Sequence, residues 1–394
     1  MNELSSLRIL IAPSGFKESL SAEEASAALE EGVLRVLPSA TTTCLPMADG
    51  GEGFTRTLVA AAGGSIAEVR VTGPIGEPVD SHFGRLEDGA GTRVFEMAAA
   101  AGLRLVPRDR RDPLQTTTYG VGELARAALD DGAERLLLGC GDSGTNDAGA
   151  GFAQALGVRL LDAGGQPIER GGASLAELAA IDLEGLDSRL TDVPIDVACN
   201  LTNVLCGERG VARVFGPQKG ASPETVARLE ASLEHFADVV ERDVGVDVRT
   251  MPGGGASGGL GAGVHALCGA RLRHRFEIVQ ERLHFDELLA QADLVLTAEG
   301  SVDFQTPRGK IPAEVARAAQ QHGIPVIAIA GTLGQQARVN LDEGIDAMAS
   351  VLDAPMSLSN AIDDAERLVR NAADGVMRLV LVGAQLGAAG KLGG

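Results

Sequence analysis

Residues 7–12, LRILIA, form an uninterrupted apolar run closed by a polar loop over 13–20. A run of that length without alternation predicts a strand buried on both faces. Next comes Ser21-Ala-Glu-Glu24, where Ser21 can cap a helix and Glu24 can reach back to it; Leu29, Val33 and Val36 continue one helical face. This β-loop-α opening belongs to a doubly wound parallel sheet. The grammar returns near the other end: DLVLT at 293–297 reads as a strand, Pro312 as a first helical position, and IPVIAIA at 324–330 as a strand. A strand over 346–352 and a helix over roughly 360–381 follow. The centre differs, with short strands broken by Gly and Pro over 69–95, which predicts an antiparallel or mixed piece, and glycine-punctuated loops at 139–151 and 253–263. The expected fold class is α/β in two domains, one built from both termini (1–67 and 287–394) and one inserted (68–286) with a mixed sheet.

At 394 residues the chain is long enough for two cores. Its formal charge of −20 repels nucleic acid and anionic membrane alike, and one Tyr with no Trp leaves no stacking platform for single strands. Residues 1–6 lack a basic leader, and no run of 18 apolar residues occurs. Five scattered cysteines without a CxxC pair suit buried thiols in a reducing compartment, so the expected location is cytoplasmic. An acidic chain that handles an anionic ligand must gather its few cations locally or recruit a metal.

Five segments carry residue types suited to that task. MADGGEG at 47–53 sets Asp49 and Glu52 among glycines, a pattern for Mg²⁺ coordination or proton abstraction. GCGDSGTND at 139–147 follows an apolar strand; it satisfies G-x-G-x-x-G, with Asp162 at the distance a dinucleotide site wants. Asp142 and Asp147 would repel a bare pyrophosphate, however, so the loop reads better as metal and substrate chemistry. VFGPQKG at 214–220 hems Lys219 between turn formers, and upstream Asn200 and Asn203 offer amides for hydroxyl groups. The glycine run at 252–263, including Gly254, Gly255, Ser257, Gly258 and Gly259, is a candidate phosphate cradle of backbone N–H groups. TAEGSVDFQTPRGK at 297–310 leaves the C-terminal end of a strand with Glu299 and Asp303 beside Arg308 and Lys310, acids for a metal and bases for phosphates. Lys17, after the first strand, is placed to join them. A Walker A motif is absent, and the six histidines show no metal-ligand spacing.

In this order the segments resemble the class I glycerate kinases. IAPSGFKESLSA at 11–22, PMADGGEGF at 46–54, GCGDSGTNDAGAGFAQALG at 139–157, VFGPQKGA at 214–221 and AEGSVDFQTPRGKIP at 298–312 carry the likeness, with EMAAAAGL at 96–103 and GASGGLGAG at 255–263 adding to it. The resemblance implies a flavodoxin-like domain from both termini and an inserted domain likened to a restriction-endonuclease fold. It also implies ATP, Mg²⁺ and D-glycerate, with 2-phosphoglycerate favoured over 3-phosphoglycerate, in a monomer or homodimer. The expected roles are then phosphate or carboxylate neutralisation by Lys17, Lys219, Arg308 and Lys310, and metal binding by Asp49, Glu52, Glu299 and Asp303. Asp142 or Asp147 would take the hydroxyl proton, while Ser14, Asn146, Asn200 and Asn203 would orient the substrate. The first block departs from the family pattern at Ser14, Gly15 and Glu18, and Asn200 stands where an acid is usual. A kinase for a related hydroxy acid, a nicotinamide-dependent dehydrogenase and a non-catalytic sugar-acid binder are the alternatives.

Overall fold

A computed structural model describes residues 7–16, 19–47 and 50–391. In chain order its strands are β1 (Arg8–Ile11), β2 (Thr41–Cys44), β3 (Gly64–Thr72), β4 (Pro78–Leu86), β5 (Thr92–Glu96), β6 (Arg135–Gly139), β7 (Arg159–Leu161), β8 (Ala180–Asp182), β9 (Ile195–Cys199), β10 (Arg271–His274), β11 (Leu294–Val302), β12 (Val326–Leu333) and β13 (Ala347–Ser350). The chain divides into two compact units, Met1–Asp49 with Val279–Gly394, and Gly50–Ile278. Both breaks fall earlier in the chain than the expected 67/68 and 286/287.

The unit that contains both termini is a five-stranded sheet in the order β13-β12-β11-β1-β2, parallel throughout. Counted within the unit this is the order 2-1-3-4-5, whose switch point lies between β1 and β11. The apolar opening run is its core: Ile9 and Ile11 are buried beside Leu294, Leu296 and Ile329. The helix Ala22–Val36 follows, and its predicted capping box forms: Glu24 N–H donates to Ser21 Oγ at 3.1 Å and Ser21 N–H to Glu24 Oε2 at 2.8 Å. It lies against the terminal helix Ala365–Ala388, joining Leu29 and Val33 to Leu368, Val369 and Met377 in the same core. Where one helix was expected over 360–381 there are two, Leu358–Asp363 and Ala365–Ala388, separated at Asp364.

The inserted unit carries a six-stranded mixed sheet in the order β10-β9-β6-β5-β4-β3. β3, β4 and β5 are antiparallel neighbours, as the Gly- and Pro-broken pattern predicts, whereas β5, β6, β9 and β10 run parallel. Four C-terminal strand ends therefore share one edge: Glu96, Gly139, Cys199 and His274. The glycine run is not a loop throughout. After a turn over 252–255 it forms the start of the helix Ala256–Cys268, with left-handed backbone at Ser257, Gly258 and Gly259. Its glycines give close backbone approach within the protein. A Cβ on Gly258 would stand 1.9 Å from Thr145 O, and one on Gly255 would stand 2.1 Å from Val204 O. No helix among the described residues is long and apolar enough to cross a membrane.

Candidate active site

Within the flavodoxin-like unit, Ser14, Glu299, Asp303 and Lys310 lie along or beyond β1 and β11, the strands that flank the switch point. Ser14 N–H donates to Ala298 O at 2.8 Å, which sets Ser14, three residues past the end of β1, beside the middle of β11. Lys310, the residue before the helix Ile311–Gln321, donates through Nζ to Ser301 O at 2.9 Å. Its ammonium stands 3.4 Å from Glu299 and 4.0 Å from Asp303, and all three side chains are mostly buried. The loop between them is internally tied. Asp303 N–H donates to Thr306 Oγ1, Gln305 N–H to Asp303 Oδ1, and the buried Asn340 amide to Asp303 O. Arg308 is exposed and lies 5.8 Å from the Phe304 ring centroid. Two carboxylates and the Ser301 hydroxyl, from the last residues of β11 and the residue after it, are hard oxygen donors close together in the chain. That set fits Mg²⁺, which takes one or two protein carboxylates when phosphates and water complete its shell. Lys17 and Asp49 lie outside the described residues.

In the inserted unit the 50–53 segment lies on the loop after β6. A Cβ on Gly141 would stand 2.6 Å from Gly51 Cα, and Glu52 N–H donates to Asp142 Oδ2 at 3.2 Å. Asp142 is exposed and adopts φ +49, a left-handed conformation that a residue with a Cβ adopts only when its surroundings impose it. Glu52 pairs with Arg104 at 2.9 Å, with both side chains about half exposed. Asn200 spends its Oδ1 on its own turn, accepting from Thr202 N–H and Oγ1, and Asn203 N–H donates to Asn200 O.

Two expected catalytic groups face inward instead. Asp147 is wholly buried. Its Oδ2 accepts from Thr118 N–H at 2.7 Å and Thr118 Oγ1 at 2.9 Å, with Gly151 N–H and Thr117 Oγ1 farther off, and its Oδ1 accepts from Gly149 N–H. Burial pushes this carboxyl above the usual range, and the backbone and hydroxyl donors oppose that. Lys219 is 2% exposed and donates to Thr145 O at 2.6 Å and Asn146 Oδ1 at 2.9 Å. Burial lowers its pKa to about 7, opposed by the charge of Asp147. A group so enclosed cannot neutralise a phosphate at the surface. The proposed cradle glycines, Gly254, Gly255, Gly258 and Gly259, are likewise buried against protein backbone or side chains. Asp162, the ribose ligand of a dinucleotide reading, closes its own turn by accepting from Gly164 and Gln166 N–H.

Among the described residues no group of three or more His, Cys, Asp or Glu side chains is placed to hold an ion. Glu52 is engaged with Arg104, and Glu299 and Asp303 share Lys310.

A family model described as the glycerate kinase family matches residues 9–381. The chain belongs to the glycerate kinase family. It is 47% identical to a glycerate kinase of Haemophilus influenzae, over 95% of this chain and 99% of that one. It is 45% identical to the glycerate 2-kinase of Escherichia coli, over 96% and 99% respectively. A crystal structure from Salmonella typhimurium LT2, provisionally named glycerate kinase 2, superposes with a TM-score of 0.82 at 48% identity, covering 97% of this chain and all of that one.

One polar residue in this glycerate kinase family chain was not singled out by motif. Glu96, 1% exposed at the end of β5, accepts from Gly53 N–H at 2.8 Å and Thr55 N–H at 2.7 Å. Gly53 offers no side-chain cap to the helix Phe54–Ala62, and Glu96 satisfies those N–H groups from another element. Burial raises its pKa, opposed by these donors. The signal for it was a lone acid between VF and MAAAA, a charge in apolar context that must find donors.

Proposed function

We propose that this chain phosphorylates D-glycerate with MgATP, giving 2-phosphoglycerate in preference to 3-phosphoglycerate. The observation that carries the reading is the Glu299–Lys310–Asp303 group at the switch point of a flavodoxin-like sheet, where open α/β sheets take ligands. Phosphoryl transfer depends mainly on positioning and charge neutralisation, and this group supplies both signs of charge within 4.0 Å of one ammonium. Lys310 neutralises phosphate oxygens, with Arg308 as an outer cation. Glu299 and Asp303 are the residues that would hold Mg²⁺, which when bound draws charge from the transferring phosphoryl oxygens.

Of the two acids after β6, Asp142 is the one that takes the substrate hydroxyl proton, since it is exposed whereas the Asp147 oxygens are enclosed by donors. The Asn200 amide just after β9 and Asn203 orient the hydroxy acid through hydrogen bonds.

A coupled ADP-release assay over glycerate, tartronate and erythronate, with and without Mg²⁺, tests the reading, and NMR of the product assigns the phosphorylated carbon. Magnesium-dependent turnover with glycerate is the expected result. Tight NADH binding without ADP release, or stabilisation by a sugar acid without turnover, would replace it with the dehydrogenase or the binding protein.

A further inference from the structure

A buried lysine whose ammonium is spent on two acceptors of the protein itself is the unexplained feature of the inserted unit. Lys219 ends the short turn Pro217–Lys219, and its ammonium crosses the interior to a segment 74 residues earlier in the chain. Its two acceptors there are consecutive, the Thr145 carbonyl and the Asn146 carboxamide oxygen. The contact fixes which end of the amide faces Lys219, so Asn146 Nδ2 points elsewhere; it has no partner among the described residues, and neither has Thr145 Oγ1. The same segment is also held by the Asp147 carboxylate, which accepts from Thr118, Gly149 and Gly151, and at other points by neutral bonds. Leu103 N–H donates to Asp142 O, Gly144 N–H to Ala101 O, Thr116 Oγ1 to Gly144 O and Ala148 N–H to Gly258 O. Asp142 leads this clamped stretch in its left-handed conformation. Among the donors named in the clamp, Lys219 is the one that bonds two consecutive residues of the segment, Thr145 and Asn146.

We propose that Lys219 is a positioning residue: by pinning Thr145 and Asn146 it holds the 142–148 segment in the shape that presents Asp142, and it touches neither nucleotide nor hydroxy acid. This rests on Asp142 being the proton acceptor of the proposed reaction. A loss of positioning differs from a loss of phosphate binding. It removes an interaction realised in the transition state, lowering kcat while KM for ATP stays put.

The test uses the full chain as Lys219→Met, Asn146→Ala and the double variant, with steady-state kinetics and amide hydrogen exchange. Misplacing a catalytic group by about 1 Å costs on the order of 10²-fold, so kcat of Lys219→Met is expected to fall by about that factor. Both KM values are expected to stay within about twofold, and the double variant to be no slower than the slower single one. Exchange is expected to quicken at Leu103, Gly144 and Ala148 and to be unchanged in β1 and β11. A rise of about tenfold or more in KM for ATP with loop protection intact would overturn the proposal, as would multiplicative losses in the double variant. If Lys219→Met does not fold, Asn146→Ala decides by the same readouts. If the wild-type chain fails to phosphorylate glycerate, the functional reading falls, and exchange alone judges the clamp: quickening confined to the loop supports it, and unchanged protection overturns it.

Discussion

Replacing Asp147 by Asn separates a carboxylate that builds the loop from one that performs chemistry. The amide has one acceptor oxygen where the carboxylate has two. Its better orientation keeps that oxygen on Thr118 N–H and Oγ1 and turns the NH₂ toward Gly149 N–H, donor against donor. Hydrogen bonds to a charged acceptor contribute about 1.5–3 kcal/mol against about 1 for a neutral one, and a stranded buried donor costs about 1–3 kcal/mol. Relief from burying the charge works the other way, leaving a net destabilisation of roughly 2–4 kcal/mol. Asp147→Ala strands the N–H groups of Thr118, Gly149 and Gly151 together. At about 1–3 kcal/mol each, that approaches the whole stability of a domain, about 5–15 kcal/mol, and little folded protein is expected. With one Tyr and no Trp the chain has almost no intrinsic fluorescence, so urea unfolding is best followed by far-ultraviolet circular dichroism. The expected result is a lowered midpoint for Asp147→Asn with turnover per folded molecule within a few-fold of wild type. If Asp147→Asn unfolds with the wild type yet loses about 10²–10⁴-fold in rate, Asp147 is the general base and the argument from enclosure is wrong.

Asp142→Asn carries the complementary expectation, a fall of about 10²–10⁴-fold in kcat with an unchanged unfolding midpoint. Lys310→Met, read by the same ADP-release assay, is expected to lose about 10²–10³-fold in rate with the fold intact, and unchanged turnover would remove Lys310 from the site. Lys219 has a folded pKa of about 7 against an ordinary 10.5, so the folded chain binds fewer protons than the unfolded chain between those values. Its contribution therefore makes stability rise with pH across that window, by at most ~1.4 kcal/mol per pH unit, and Lys219→Met flattens the slope in urea titrations run from pH 7 upward. Gly258→Ala sets a Cβ 1.9 Å from Thr145 O at φ +75°. Strain and overpacking together predict a loss of ~3 kcal/mol or more, measured as a fall in the urea midpoint.

The features legible in the sequence are those decided by near neighbours. The strand at 7–12 needed only its apolar run, and the capping box at Ser21 needed only Glu24 three residues on. The group formed by Glu299, Asp303 and Lys310 was legible because all three lie within twelve consecutive residues, from the end of β11 to the start of the next helix. The failures share a different physics. The glycines at 254–259 were read as open to a ligand, but a glycine states only that something comes close, and here that something is protein: Met251 at Gly254, Val204 at Gly255, Thr145 at Gly258 and Ala148 at Gly259. Lys219 was judged aimable from the turn formers around it. Its direction is set by acceptors 74 and 73 residues away. Asp147 and Glu96 are likewise buried charges whose partners come from other elements: Thr118 for the first, Gly53 and Thr55 for the second. Burying an ionisable group is costly unless its donors or acceptors are built in advance, so each such group implies a tertiary contact that local pattern does not specify. In a chain of net charge −20, exposed acids are expected everywhere and carry little information. The informative ones are charges flanked by apolar residues, and Glu96 between Phe95 and Met97 is the case that this rule, applied to the sequence alone, would have found.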